Sequence, residues 1–316
     1  MPMPICHLDA CRLQPTGVDR VDCTTRILSG CLLALIVSAV AVARVGARQD
    51  ASLAQFSSQV QLVEVYATVT DAGGGPVTGL RREDFEVYED GRRQEVSTFA
   101  AGEFPLTVAL GVDRSWSMAG ERLDLAKRAS QAFLRSLRPE DRTMVMAISS
   151  EAEVVAPLTM DRAGQLREIA RLDPWSTTAL HDAIIAALDR LEGEPGRHAI
   201  VVFSDGADRY SRATATQVVE RARRGTALIY PIGLGRDRPS LLAELAVATG
   251  GRSYLLRDVR DLDQTLADVA RELHYQYLLG YAPSTTVPHE PEWRSIRVVT
   301  RKPGLRVRAR DGYMAH

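Results

Sequence analysis

The sequence predicts an α/β protein built on a doubly wound, mostly parallel sheet, with a small flanking β module formed by strands from both ends of the chain. From residue 106 onward, short apolar runs alternate with helical patterns, which implies parallel strands joined by crossover helices. Runs such as AIVVF and ALIYPI are apolar on both faces, as expected for strands covered by helices on each side. The segments before and after this region show strand periodicity without crossover helices.

The length and composition of the chain are sufficient for one large domain and one smaller domain. The chain has 316 residues, and 39 Lys and Arg nearly balance 40 Asp and Glu. No global field therefore favours nucleic acid or an anionic membrane as a partner. All four cysteines precede residue 32, so the rest of the chain offers neither a disulfide framework nor a cysteine metal site.

The amino-terminal segment, residues 1–49, contains a charge-free run at 27–43 between arginines. This pattern is typical of a secretory signal or a marginal membrane anchor with an upstream extension. The run is shorter than the roughly 20 residues of a comfortable membrane span. It also ends in Ala41-Val42-Ala43, a small-x-small cleavage pattern. We expect export to the periplasm or beyond, with cleavage favoured over a retained anchor at residues 27–43.

The first β segment occupies residues 58–103. Val63, Val65, Ala67 and Val69 alternate with polar residues, which predicts a half-buried strand. Asp90-Gly91 predicts a tight hairpin turn between strands at 85–89 and 94–99.

The central region, residues 104–273, is predicted to be the doubly wound domain. Its predicted strands lie at 106–112, 143–149, 153–156, 198–203, 227–232 and 253–256, and its predicted helices at 122–137, 162–170, 179–191, 214–224, 240–249 and 262–273.

The carboxyl-terminal extension, residues 274–316, has predicted strands at 275–281, 295–300 and 305–310, the last two joined through Pro303-Gly304. Both β segments are too short to bury a face alone, so we expect them to pack together. The stretch 294–310 carries seven basic residues and no acid. It fits either a solvated strand face or a surface for an anionic partner.

Oxygen-bearing side chains follow two of the predicted strands and open one of the predicted helices. Asp113, Ser115 and Ser117 follow the strand at 106–112, Asp205 follows the strand at 198–203, and Thr178 opens the helix at 179–191. Ligands of doubly wound sheets bind outside the carboxyl ends of the strands. Asp-x-Ser-x-Ser alone also fits helix caps and turns. Together the three loops favour one hard cation held by oxygen, such as magnesium.

This constellation resembles the metal-ion-dependent adhesion site (MIDAS) of the von Willebrand factor type A (VWFA) family, over roughly residues 104–273. The resemblance implies that Asp113, Ser115, Ser117, Thr178 and Asp205 hold one Mg²⁺, Mn²⁺ or Ca²⁺. It also implies that an acidic residue of a protein partner completes the coordination shell. Trp116 departs from the small residue often found there, and either contacts the ligand or covers the sheet edge. The flanking PVTGLRREDFEVYEDG, YQYLLGYAP and KPGLRVRARDGY resemble bacterial "VWFA-related" proteins of the acidobacterial type.

The resulting expectation is an exported, non-catalytic, adhesion-type binding module with no nucleic-acid partner, in contact with a membrane only through a retained anchor. An alternative is a scaffold subunit of a cell-envelope assembly in which the metal is only structural. Ser115 or Ser117 with His181 and Asp182 could also be grouped as a hydrolase triad. That grouping lacks a Gly-x-Ser-x-Gly elbow.

Overall fold

The computed structural model describes residues 62–102, 104–205, 208–236, 239–285, 288 and 290–315. The predicted export segment at residues 1–49 lies outside these ranges. Across the described ranges, every helix is too short or too polar to cross a lipid bilayer.

The described residues form fourteen strands and six α-helices. The strands are β1 (Val63–Thr70), β2 (Phe85–Glu89), β3 (Arg92–Gln94), β4 (Val96–Gly102), β5 (Leu106–Asp113), β6 (Arg142–Ile148), β7 (Ala152–Thr159), β8 (Arg197–Ser204), β9 (Leu228–Leu234), β10 (Tyr254–Leu256), β11 (Gln276–Tyr281), β12 (Glu292–Thr300), β13 (Arg306–Arg308) and β14 (Gly312–Ala315). The helices are α1 (Glu121–Ser136), α2 (Arg162–Ala170), α3 (Leu180–Leu191), α4 (Ala215–Arg224), α5 (Ser240–Thr249) and α6 (Leu262–His274).

The central sheet has six strands in the order β10-β9-β8-β5-β6-β7. All neighbouring pairs are parallel except β6 and the edge strand β7. After β5 the chain builds outward through β6 and β7, then returns to place β8 on the other side of β5. The topological switch point therefore lies between β5 and β8, the place where such sheets bind ligands.

Both faces of the central sheet are covered, as the two-sided apolar runs predict. Alternate residues of β5 face opposite cores: Val108 and Leu110 pack with residues of α1, α2 and α6, whereas Ala109 packs with residues of α3, α4 and α5. Every residue of β5 is buried. The expected doubly wound α/β fold is confirmed.

The β module consists of two further four-stranded sheets, ordered β13-β1-β11-β4 and β14-β12-β2-β3. Each sheet combines strands from before and after the central domain, and their inner faces share one apolar core. Val63, Val65, Ala67 and Val69 belong to that core, as their alternation predicts. The flanking β module is thus confirmed, and its strands come from the segments on both sides of the central domain.

Local details of the module depart from the prediction. Asp90 and Gly91 have φ of 47° and 77° and connect β2 to β3, which confirms the tight turn. The strand predicted at residues 94–99 is two strands, because the chain changes sheet between β3 and β4. Likewise, β12 and β13 do not pair across Pro303-Gly304 but lie in different sheets. The sequence prediction also missed β14.

The basic stretch 294–310 is not a simple solvated face. Arg294, which is 4% exposed, pairs with buried Glu89 of β2 at 3.3 Å. Arg308 pairs with buried Glu272 of α6 at 2.5 Å. Sequence spacing concealed these pairs because both acids lie far along the chain, and only the fold brings them to the arginines.

The central domain is inserted between two paired strands of the module. β4 leads into it and β11 leaves it, and Gly102 lies directly opposite Gln276 in the antiparallel pair. Gln276 also accepts a hydrogen bond from Arg197 of β8 at 2.7 Å and donates one to Thr68 of β1 at 2.8 Å. Buried polar contacts therefore join the domain and the module where the chain passes between them.

Candidate metal centre

The first loop of the site begins where β5 ends. Asp113 is fully buried, and its Oδ1 accepts the backbone N–H of Ser115 at 2.8 Å. Its Oδ2 accepts the hydroxyl of Ser204, at the end of neighbouring β8, at 2.5 Å. The chain then makes a short 3₁₀ turn, Trp116–Met118, which brings Ser117 Oγ within 3.0 Å of Ser115 Oγ. One carboxylate and two hydroxyls therefore lie together at the carboxyl end of β5.

The second loop precedes α3 and supplies Thr178, which is 3% exposed. It is fastened to the first loop by backbone hydrogen bonds from Trp175 N–H to the Arg114 carbonyl, 2.7 Å, and from Trp116 N–H to the Ser176 carbonyl, 3.0 Å. Ser176 has φ of 58°, an uncommon backbone conformation for a residue other than glycine. Such strain is retained where surrounding contacts enforce it, frequently at functional sites.

The third loop follows β8 and carries Asp205. It returns to the second loop through Arg209 and Tyr210, whose backbone N–H groups donate to the Thr178 carbonyl at 3.0 and 3.1 Å. Asp208 secures this loop to α3: its carboxylate accepts the backbone N–H of His181 at 2.8 Å and the Ser211 hydroxyl at 2.6 Å. These bonds, against the opposing effect of burial, hold the pKa of Asp208 below its ordinary value.

The electrostatics of the site favour an added positive charge. The pKa of Asp113 is raised, first by burial and further by the negative charge of Asp205. Hydrogen bonds from Ser115 and Ser204 oppose this rise without cancelling it. The carboxylates of Asp113 and Asp205 therefore add negative charge at one edge of the sheet, which a divalent cation would neutralise.

The donor set fits a hard cation. The described part of the chain holds no cluster of three or more His, Cys, Asp or Glu side chains placed to bind a metal. An ion at this edge would be held by the hydroxyl oxygens of Ser115, Ser117 and Thr178 in addition to the two carboxylates. Oxygen-only sets of this kind suit Mg²⁺, Mn²⁺ or Ca²⁺.

The structure puts the five predicted ligands in three adjoining loops at the switch point: Asp113, Ser115, Ser117, Thr178 and Asp205. Sequence reasoning missed the residues that support these loops. Ser204 orients Asp113, and Asp208 anchors the third loop. Position at a strand end could have suggested Ser204, but no spacing pattern signals a loop anchor such as Asp208.

The residues of the triad alternative are engaged elsewhere. His181 Nδ1 lies 2.9 Å from the carbonyl oxygen of Ala213. The Asp182 carboxylate accepts the backbone N–H groups of Arg212 and Ala213, both at 2.9 Å. Both side chains thus fasten the third loop to α3.

Comparison with known families agrees with this geometry. Residues 108–207 match the family model described as von Willebrand factor type A domain. The chain contains a von Willebrand factor type A domain. The matched segment includes most of β5, all of β8 and all five candidate ligands of the VWFA site.

Two solved structures and one curated protein are similar to this chain at low sequence identity. The von Willebrand factor type A protein from Catenulispora acidiphila superposes with a TM-score of 0.51 at 15% identity, covering 74% of this chain and 73% of that one. Proximal thread matrix protein 1 from the mussel byssus, solved with zinc in its MIDAS motif, gives 0.49 at 17% identity, covering 58% and 49%. An uncharacterised protein of Borreliella burgdorferi is 26% identical over 178 residues, 48% of this chain and 52% of that protein. The chain therefore matches about half the length of that relative.

Proposed function

We propose that the VWFA domain holds one magnesium-like cation and binds a protein partner whose acidic side chain completes the coordination of that cation. Asp113, Ser115, Ser117, Thr178 and Asp205 are the proposed ligands. The observation that carries the proposal is the meeting of three oxygen-bearing loops at the switch point, two of which carry a carboxylate.

The chemistry of the site suits binding. Two carboxylates balance the charge of a divalent cation, and an open coordination position can then take a third anionic oxygen. The candidate hydrolytic side chains His181 and Asp182 instead hold the loop 211–213. We therefore assign the domain a binding role without catalysis.

Titration calorimetry with magnesium tests the metal site directly. We expect wild-type protein to bind one Mg²⁺, and Asp113→Ala and Asp205→Ala to lose that binding while remaining folded, because each change removes half of the formal negative charge around the ion. Asp173→Ala is the matched control, since Asp173 is an exposed acid in the second loop outside the proposed ligand set. Equal magnesium affinity in all four proteins would show that the five residues are only caps and turn formers.

A second candidate function follows from the burial of Asp113. A cation that neutralises the buried carboxylate of Asp113 would also stabilise the fold, which suits a scaffold subunit of a cell-envelope assembly. Pull-down and thermal melting, each with and without chelator, separate the two functions. Partners that survive chelation while the melting temperature falls would favour the scaffold.

We further propose that the protein acts outside the cytoplasm, on the strength of the charge-free run at residues 27–43 between basic flanks. A reporter fused after Gln55 should be active in the extracytoplasmic fraction. Activity confined to the cytosol would refute export.

A further inference from the structure

Three exposed aromatic side chains surround the candidate metal centre. Trp116, Trp175 and Tyr210 are 65%, 58% and 62% exposed. Each belongs to a different loop of the site. Within the described residues, none of the three rings makes an aromatic or cation–π contact.

The backbone ties each aromatic residue to a loop that carries a proposed ligand. Trp116 stands between Ser115 and Ser117 in the chain. Trp175 N–H donates to the carbonyl of Arg114, the residue after Asp113, and Tyr210 N–H donates to the carbonyl of Thr178. The positions of the three residues therefore follow the positions of the ligand loops themselves.

The exposure of these rings decides between two roles for Trp116. A ring that covered the sheet edge would lose most of its accessible surface, whereas this one keeps 65%. The loops that carry the rings are held by backbone hydrogen bonds between them and by the hydrogen bonds that Asp208 accepts from His181 and Ser211. Large apolar side chains on a rigid support and open to solvent are typical of binding hot spots.

The charge of the site indicates what these rings contact. A dication balanced by two carboxylates gains most from a third anionic oxygen, which an Asp or Glu side chain supplies and a neutral sugar hydroxyl does not. Basic groups stand nearby: Arg122 Nη1 lies 3.3 Å from the Ser117 carbonyl, and exposed Arg209 precedes Tyr210. The occupant that fits is an acidic segment of a protein.

We propose that Trp116, Trp175 and Tyr210 form an aromatic rim that determines specificity. The rim selects protein segments in which the metal-binding Asp or Glu is flanked by apolar or aromatic side chains. This inference rests on the proposed function, because the partner carboxylate must first reach the ion. Tryptophan and tyrosine bury a large contact area with few rotatable bonds, so they suit this task.

A displayed peptide library provides the probe. One library carries a fixed central Asp between randomised flanks, and a matched library carries Asn instead. We expect wild-type protein in magnesium to enrich Asp peptides with apolar flanks, to release them with chelator, and to enrich nothing from the Asn library.

Single variants then test whether each rim residue contributes to peptide binding. Trp116→Ser, Trp175→Ser and Tyr210→Ser should each weaken binding of a selected peptide by about tenfold or more, the loss typical of an interface hot spot. Their magnesium affinity, measured separately, should stay that of the wild type. Tyr275→Ser is the matched control, because Tyr275 is 40% exposed just before β11, at the opposite end of the domain.

The outcomes separate the rim from the metal site. Acidic peptides selected in magnesium without any flanking preference, and bound equally by all variants, would overturn the rim and leave the proposed function standing. Absence of magnesium-dependent selection would overturn both. Chelator-sensitive binding to a glycan array with no selection from either peptide library would overturn the choice of a protein partner.

Discussion

At the scale of single residues, Asp113 depends on the side chain next to it. The Ser204 hydroxyl donates to Asp113 Oδ2 and orients the carboxylate from the adjoining strand. We expect Ser204→Ala to weaken magnesium affinity about 10- to 100-fold, the usual effect of losing a group that orients a ligand. The free energy of unfolding should fall by only about 1 kcal/mol. Calorimetry and denaturant unfolding measure the two effects.

A second buried serine provides the control for this prediction. Ser130 of α1 is fully buried, and its hydroxyl has no hydrogen-bond partner among the described residues. Ser130→Ala should leave magnesium affinity unchanged. Similar losses of affinity in both variants would mean that Ser204 acts through general packing and not through Asp113.

Asp141 shows how one buried acid links stability to pH. Its carboxylate accepts the backbone N–H of Leu106 at 3.2 Å and of Arg138 at 2.9 Å, and His274 lies 3.8 Å away. Burial alone would raise the pKa of Asp141, but the interactions with His274 and Arg138 lower it overall. A folded pKa below the unfolded value of about 3.9 means that this stability is present above pH 4. It is lost as pH falls through the folded pKa.

Asp141→Asn tests that linkage. The variant should be less stable than wild type at pH 7 by about 1–3 kcal/mol, because buried backbone donors lose a charged acceptor. Below pH 4 the wild type should lose stability more steeply, so the two curves of melting temperature against pH should converge. Parallel curves across the whole range would contradict the lowered pKa.

The candidate ligands could be predicted from the sequence, whereas the residues that support them could not. Asp113, Ser115, Ser117, Thr178 and Asp205 stand at strand or helix ends, and the parallel topology puts such ends at one edge. Support from Asp208 and the strained Ser176 was not predictable, because both depend on loops folding against each other. The rim residues Trp175 and Tyr210 were overlooked for the same reason.

At the scale of elements, the junction between α5 and the β module depends on glycine. Gly250 ends α5 with φ of 81°, and a Cβ there would lie 2.5 Å from the backbone carbon of Ala309. Gly304 has φ of 77°, but a Cβ there would meet nothing within 4 Å. Gly304→Ala should cost about 1–2 kcal/mol for the left-handed conformation alone. Gly250→Ala should cost clearly more, as measured by denaturant unfolding, since backbone must also move. Equal losses of unfolding free energy in the two variants would mean that the backbone at Ala309 moves aside at little cost.

Elements with two-sided burial were the most predictable. Runs such as AIVVF could be recognised as central strands because helices cover both faces. The module strands were harder, since a chain that crosses between sheets at Glu95 or at Pro303 keeps its strand-like composition. Sequence pattern records burial at each residue but not the sheet to which a strand belongs.

At the scale of the whole molecule, the β module depends on both chain ends. β1 is paired on one side by β11 and on the other by β13, so deleting residues 275–316 removes both of its neighbours. We expect the truncated protein to aggregate through the exposed edges and apolar face of β1. Solubility and light scattering measure this. Removing only residues 312–316 takes away the edge strand β14 and should leave the protein soluble. A soluble 275–316 deletion with unchanged stability would refute the coupling.

The insertion of the domain between paired strands has a mechanical consequence. β1 and β11 run antiparallel, with Val63 opposite Tyr281 and Ala67 opposite Tyr277, and the domain joins β11 at Gln276. When the chain is held ahead of β1 and pulled through a bound partner, tension enters the two strands at opposite ends of their pairing. Their hydrogen bonds are then loaded in shear and share the force, so they resist together instead of opening one after another. If the domain binds a partner as proposed, the β module would carry tension between the point where the chain is held and the bound partner.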